Sequence, residues 1–419
     1  MNKRGDRVEK LTIFQSSRIN ADIGGAQACY MALNRLLKEK GHRVIEFAAN
    51  HPKNKVSDYS EYFVNRPVEE SIDNLSLFRK IKAACDSIYA LDVLKNTKKL
   101  IDIYKPHIAD VHNLYYQLSP SVLAPLHKAG IPIVHHLHDY AMYCVNGVCE
   151  KNGTVCERCK GGKYYRAVIN RCYHNSYSQS FIGAISKIFN NSLGVYEPYI
   201  SKYIVTSQFQ KNFLLSWGIP EKKMHVIPLF FDGSSYPTVE SQVQKPQVLY
   251  FGEMKKRKGP QLVYELAKKI PSVKFVFVGR GPYAEILRKR SRDECILNLE
   301  FHDHLWKYEL FKILQESMFS IIPSIFYESF GRVIIEAFYY AKPVLGSRLG
   351  SIPEIIVDGH NGFTFNPGDV DDLYEKARYL IEDVSLRYRL GQNARADACK
   401  KYNKELYYRQ LKNIYDALL

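Results

Sequence analysis

Two carboxylates stand out because their spacing lets them meet one small polar ligand. In Ile322-Pro-Ser-Ile-Phe-Tyr-Glu-Ser-Phe-Gly-Arg-Val-Ile-Ile-Glu-Ala337, an apolar run stops at Pro323 and Glu328 follows in a loop. Glu336 then falls about two turns into the helix that the next residues predict. The first-turn N–H groups near Phe330, Gly331 and Arg332 suit a phosphate. Glu336 can accept hydrogen bonds from a vicinal diol such as a ribose, and Glu328 from the hydroxyls of a sugar ring. The competing reading is a pair of helix-end carboxylates with capping roles.

Other residues carry chemistry of the same kind. Tyr250-Phe-Gly-Glu-Met-Lys-Lys-Arg-Lys-Gly259 puts Gly252 at a strand end and a basic run up to Lys258; such a run is also what a solvated turn looks like. Phe275-Val-Phe-Val-Gly-Arg-Gly-Pro282 places Gly279 and Gly281 in a tight turn after a strand. Gly24 and Gly25 follow the first strand, where a missing Cβ lets backbone N–H groups approach a phosphate or sugar; a plain strand-to-helix turn is the alternative. His135-His-Leu-His-Asp-Tyr140 puts His138 at a strand tip, able to hydrogen-bond a sugar hydroxyl, with Asp139 beside it to orient the ring. His112 and Asn113 end another strand and line the same side. Cys144, Cys149, Cys156, Cys159 and Cys172 crowd one stretch with His174. Tight turns at Asn146-Gly147 and Asn152-Gly153 could gather their sulfurs around a structural Zn²⁺. Free or redox-active thiols and disulfides are the other readings.

These residues need a scaffold, and the chain predicts one. Strand patterns at Leu11–Ser17, Val44–Ala49, Ile108–His112, Ile131–Leu137 and Tyr203–Thr206 alternate with helical ones such as Ala26–Glu39. The theme restarts at Gln247–Gly252, with a helix over Pro260–Lys269 and strands at Val273–Val278, Phe319–Pro323 and Pro343–Gly346. Alternation of this kind implies parallel sheets covered on both faces, with ligands at the carboxyl ends of the strands. The expected organisation is an α/β protein of two Rossmann-like lobes facing across a cleft. The first lobe covers 1–232, with a cysteine-rich insert at 144–174. A Gly/Ser/Pro linker over 233–246 leads to a second lobe over 247–395. Residues 396–419 form a final helix.

With 419 residues, 46% hydrophobic and 24% charged, the chain is globular rather than disordered. No apolar run is long enough for a membrane span, and the polar start shows no signal peptide, so a cytoplasmic protein is expected, with mostly reduced cysteines. The net charge of +16 is uneven: residues 1–232 hold 31 Lys and Arg against 20 Asp and Glu. That points to an anionic partner, unless it is only a solvated surface. Leu77 to Tyr104 mixes Phe78, Ile81, Ile88 and Leu91 with Arg79, Lys80, Lys82, Lys98 and Lys99, which is consistent with peripheral binding to an anionic membrane or with ordinary core packing. No recognised nucleic-acid-binding motif is present, and no nucleic acid partner is expected.

The Glu328 to Glu336 stretch resembles the Glu-x7-Glu signature of retaining glycosyltransferases of family four, which have the GT-B fold. The resemblance extends over roughly 246–395. Lys258-Gly259 is similar to the family's Lys-Gly, Gly279 to Gly281 to its glycine turn, and Gly346 to Glu354 to its Gly-Gly-x-x-Glu loop, with Ser351 in place of the second glycine. Gly24-Gly25, His138 and the Ser207 to Asp232 bridge match more loosely, with Leu229 and Phe230 where the family has Asn-Gly. The resemblance implies that Glu328 contacts the transferred sugar, Glu336 the nucleotide ribose and Lys258 the donor diphosphate. It also implies a nucleoside-diphosphate sugar as donor, retention at the anomeric carbon and no metal ion in catalysis; no Asp-x-Asp falls between the lobes. The implied acceptor is a glycan or polyprenyl-linked oligosaccharide of bacterial surface-polysaccharide assembly, such as lipopolysaccharide or capsule, and the implied final helix returns to the first lobe. The sequence departs at Glu253, where the family usually has arginine; Lys255 or Arg257 is the expected substitute. The rivals are a nucleotide-sugar epimerase of the same fold and a non-catalytic nucleic-acid-binding protein.

Overall fold

The computed structural model describes residues 10–66, 76–114, 117–192, 194, 196–233, 244–303, 305 and 307–419. Most of the expected linker, residues 234–243, lies outside the described residues, as does the polar start.

In chain order the first half forms β1 (Thr12–Ile19), α1 (Gly24–Glu39), β2 (Arg43–Ala49), α2 (Leu77–Ile88), α3 (Leu91–Tyr104), β3 (Ile108–His112), α4 (Leu123–Lys128) and β4 (Ile133–His136). It continues with β5 (Glu150–Lys151), β6 (Thr154–Val155), α5 (Tyr165–Ile169), α6 (Tyr177–Ser192), β7 (Lys202–Val205), α7 (Gln208–Leu215) and β8 (Met224–Val226). The second half forms β9 (Gln247–Phe251), α8 (Pro260–Lys269), β10 (Lys274–Val278), α9 (Pro282–Asp293), β11 (Leu299–His302), α10 (Lys307–Glu316), β12 (Phe319–Ile322) and α11 (Arg332–Tyr339). It ends with β13 (Val344–Ser347), α12 (Ile352–Ile355), β14 (Gly362–Phe365), α13 (Val370–Glu382), α14 (Val384–Lys401) and α15 (Lys404–Asp416).

Among the described residues there are two six-stranded sheets, in the orders β2-β1-β3-β4-β7-β8 and β11-β10-β9-β12-β13-β14. Their pairings are parallel, and β5 with β6 forms a small antiparallel hairpin. Parallel strands need helical crossovers, so both faces are covered and the strands read as unbroken apolar runs; β3 and β9 are buried at every position. In each sheet the strand order reverses once, between β1 and β3 and between β9 and β12. Open sheets bind ligands at such switch points, beyond the carboxyl ends of the strands.

The 77–104 stretch divides at Tyr89. α3 buries Val93, Thr97, Leu100 and Ile101 and is an ordinary core helix. None of the described side chains of α2 is buried. α14 packs on α11, while α15 sends Tyr407, Leu411 and Tyr415 into an apolar cluster with Leu11, Ile13 and Leu33 of the first lobe.

Candidate active site

The second switch point is built by close approach of two loops. β9 runs to Phe251, and the chain then turns through Gly252 and Glu253 to Lys258. Gly259 follows at φ +75°, and a Cβ there would lie 1.9 Å from the Pro323 carbonyl oxygen. Only glycine permits that contact, and it brings Lys258 to the end of β12. Ile325 N–H donates to the Arg257 carbonyl at 2.8 Å and ties the same two loops. Gly279 plays the matching part on the other flank: a Cβ there would meet the Gly252 carbonyl oxygen at 1.7 Å. It supports the site from behind.

The resulting geometry is polar and specific. Lys258 Nζ lies 2.7 Å from Glu328 Oε1, and the Ser324 hydroxyl donates to the same oxygen at 2.6 Å. Lys258 also sits 4.8 Å from the Phe326 ring centroid, a cation–π contact that fixes its stem. Gly331, at φ +84°, caps α11, and Gly331, Arg332 and Val333 line the same cleft as Lys258. Arg332 Nε lies 2.9 Å from Glu336 Oε1, one turn on. Glu336 is buried behind Arg332 and is not on the cleft wall.

Across the cleft stand residues of the first lobe. A cleft of about 490 Å³ is lined by Gly24, Gly25, His138 and Asp139 on one side, and by Gly252, Lys258, Glu328, Phe330, Gly331 and Arg332 on the other. His138 Nε2 is 2.9 Å from His112 Nδ1, and the rings of His136, His112 and His138 stack, with centroids 4.3 and 5.2 Å apart. Burial, then the neighbouring His136, pushes the His138 imidazole down to about 3; His112 is lowered for the same reasons. Both rings are neutral near pH 7. The His138 ring is bonded to His112, and Asp139, the residue expected to orient that ring, accepts from Ala141 N–H at 2.8 Å. His112 lines a smaller neighbouring pocket rather than the main cleft. Asn113 is buried beside it in a left-handed backbone conformation.

Sequence reasoning missed Ser324, Phe326 and Ser329. Ser329 Oγ donates to the His138 carbonyl at 2.7 Å, and its own carbonyl accepts from Thr206 and Ser207 at 2.8 and 2.9 Å. Only their places between Pro323 and Gly331 marked them. Glu253, the departure from the resemblance, also lines the cleft. Its carboxyl is bonded to Arg257 at 2.6 Å and to Lys255. Burial opposes its charge, but these cations outweigh burial and lower its pKa. The two expected substitutes for arginine are therefore both engaged by Glu253.

The cysteine cluster departs from the zinc reading. All five line one small void beside Trp217, yet all are free thiols. Among the described residues no group of three or more His, Cys, Asp or Glu is arranged to hold a metal ion. The reason is packing: Cys149 belongs to the large apolar cluster of the first lobe, and Cys159 and Cys172 to a separate one with Val145 and Tyr164. The Cys149 thiol donates to Cys144 and pulls it down to about 7, while Cys149 itself is raised.

The profile described as Glycosyltransferase Family 4 matches residues 23–234, and that of Glycosyl transferases group 1 matches residues 237–397. The chain belongs to glycosyltransferase family 4. Among relatives, the sulfoquinovosyl transferase SQD2 of Arabidopsis thaliana is 34% identical over 163 residues, 38% of this chain and 31% of that protein. The matched stretch spans about a third to a half of the length of the curated relatives. Two solved structures share the fold along nearly the whole chain. Sucrose-phosphate synthase from Thermosynechococcus elongatus has a TM-score of 0.69 at 17% identity, covering 98% of this chain and 99% of its own. HepE of Anabaena, solved with UDP and glucose, has a TM-score of 0.68 at 17% identity, covering 97% and 100%. This family 4 chain therefore has the GT-B architecture, with its cleft between two Rossmann-like lobes.

Proposed function

We propose that the chain transfers a hexosyl group from a nucleoside-diphosphate sugar to a glycan or polyprenyl-linked acceptor, with retention at the anomeric carbon. The observation that carries this is the set formed by Lys258, Glu328 and the α11 N-terminus on one wall of the cleft, facing neutral His138 and Gly24-Gly25 on the other. The diphosphate engages Lys258 and the first N–H groups of α11, which stabilise the charge that grows as the glycosidic bond breaks. Glu328, steadied by Ser324, accepts from the sugar hydroxyls. Glu336 reaches the ribose once Arg332 turns toward phosphate. The acceptor oxygen bonds to the anomeric carbon on the face from which the diphosphate departs, and its proton passes to a leaving-group oxygen. His138, lacking charge, accepts or donates a hydrogen bond to a sugar without repelling Lys258. The solved relative bound to UDP and glucose supports the donor class, and the capsular polysaccharide glycosyltransferase CapM of Staphylococcus aureus, 33% identical over 92 residues, supports a polysaccharide acceptor. No helix among the described residues is long and apolar enough to cross a membrane; the proposed location is the inner face of the cell membrane, bound peripherally.

A thermal-shift panel of UDP, GDP, ADP and their sugars on wild type and Lys258→Ala tests the reading. A ligand at about 100 times its Kd adds about 2.7 kcal/mol, so one nucleotide class raises the wild-type melt and leaves Lys258→Ala unmoved. No shift with any nucleotide, together with no sugar transfer to any acceptor, overturns the proposal.

A further inference from the structure

α6 is built inside out. The side chains it buries are Ser180, Gly183, Ala184, Ser186, Lys187 and Asn190. Those it exposes include Tyr177, Phe181, Ile185 and Ile188, spaced to form one stripe along the helix. Its neighbours also expose large apolar side chains. α5 packs on α6 and exposes Ile169 at 66%, and α2, also against α6, exposes Phe78 at 78%. Small residues inside explain the close packing: Ser186 Oγ donates to the Ser87 carbonyl at 3.4 Å, and Asn190 Nδ2 reaches the Ile88 carbonyl at 3.4 Å. An exposed apolar stripe of this kind marks a docking face.

Charge identifies what it docks on. From Arg158 to Tyr196 the sequence holds Arg158, Lys160, Lys163, Arg166, Arg171 and Lys187, and no Asp or Glu. Arg171 stacks on the Tyr177 ring at 4.4 Å, which sets a cation at the edge of the stripe. A second copy of this chain would bring like charge to like. A nucleic acid would meet the cations but leave Phe181 and Ile188 in water. An anionic bilayer surface satisfies both, taking apolar side chains at the acyl boundary and cations at the headgroups.

We infer that the α2–α5–α6 layer is a membrane-docking surface that seats the first lobe on an anionic bilayer through the apolar stripe of α6. The inner face of the same helix is tied to the turn beside the cleft residues His138, Asp139 and Tyr140. Lys187, buried, donates to the Ala141 carbonyl in the turn that follows His138. A membrane-seated α6 therefore braces the acceptor side of the site. The use of this seating, presenting a lipid-linked acceptor, rests on the transferase reading; the seating itself does not.

Flotation with vesicles of phosphatidylcholine alone, or of phosphatidylcholine with phosphatidylglycerol, tests it on the full chain. The wild type floats with the anionic vesicles, and added salt weakens the effect. Phe181→Glu with Ile188→Glu lowers partitioning by about tenfold or more, and Arg166→Gln with Arg171→Gln by about fivefold per charge. The donor-induced thermal shift stays at its wild-type value in both. Phe181→Trp, a conservative change, gives a second readout: its emission moves to the blue with anionic vesicles. Equal flotation with both vesicle types, no emission shift, or a concentration-dependent dimer that Phe181→Glu abolishes without any vesicle binding overturns the inference. Flotation without donor binding leaves the inference standing and sinks the transferase reading instead.

Discussion

At the residue scale the site separates charge that works from charge that is withheld. Lys258 and Glu328 form a pair at the cleft wall, 2.7 Å apart, which the proposed reading divides between diphosphate and sugar. Lys258→Ala is expected to lower kcat/KM by about a hundredfold, the range for losing one preorganised donor, with the melting temperature nearly unchanged; steady-state kinetics and a melt check both. The histidines behave oppositely. Burial holds His135 and His138 near 3 and lowers His112 well below 6.5, whereas the unfolded chain takes up these protons below about 6.5. The unfolded state thus binds more protons in acid, so stability present above pH 6.5 is lost as pH falls toward 3. Stability therefore falls as the pH drops from 6.5 to 5. Urea melts at the two pH values measure the slope, and His135→Leu makes it shallower. The sequence singled out Glu328, Lys258 and His138, and all three line the cleft. It did not reveal that His112 is the group holding the His138 ring, because that contact joins two strand tips 26 residues apart.

At the element scale the strands were the most legible feature. β3 occupies the expected Ile108–His112 residue for residue, and α8 the expected Pro260–Lys269, because buried parallel strands are apolar throughout and a Gly-Pro step marks a helix start. α6 was not legible. Sequence patterning singled out no helix there, and its large apolar side chains Tyr177, Phe181, Ile185 and Ile188 face outward. α1 begins at Gly24 rather than after the glycine pair, so the glycines open the helix instead of preceding it. Gly259 is the element-scale test. Gly259→Ala sets a methyl group against the Pro323 carbonyl in a left-handed backbone position. It is expected to cost about 3 kcal/mol or more and to move Lys258 away from Glu328, lowering both the denaturation midpoint and donor affinity.

At the scale of the whole molecule, the chain's end bears on its first lobe. The Tyr415 hydroxyl donates to buried Asp110, which also accepts from Gln15 at 2.8 Å, and Tyr407 lies 3.5 Å from His136 Nδ1. The last helix thus touches the base of the same histidine stack that ends at His138. Tyr415→Phe removes one donor from a buried carboxylate and is expected to destabilise by about 1–3 kcal/mol, read by urea titration. Its distance from the cleft should leave donor affinity intact. The two lobes are also stapled beside the cleft: Glu354 accepts from Gln208 N–H at the start of α7 at 2.8 Å, and Ser329 bonds to His138, Thr206 and Ser207. Ser329 is the neighbour of Glu328. Glu328 therefore hangs from a loop whose bonds belong to both lobes. Such an arrangement works as an interlock: when the halves part, three bonds next to Glu328 are lost at once. On the proposed reading, a donor bound to an open protein would meet water without the completed machinery that lets water attack it.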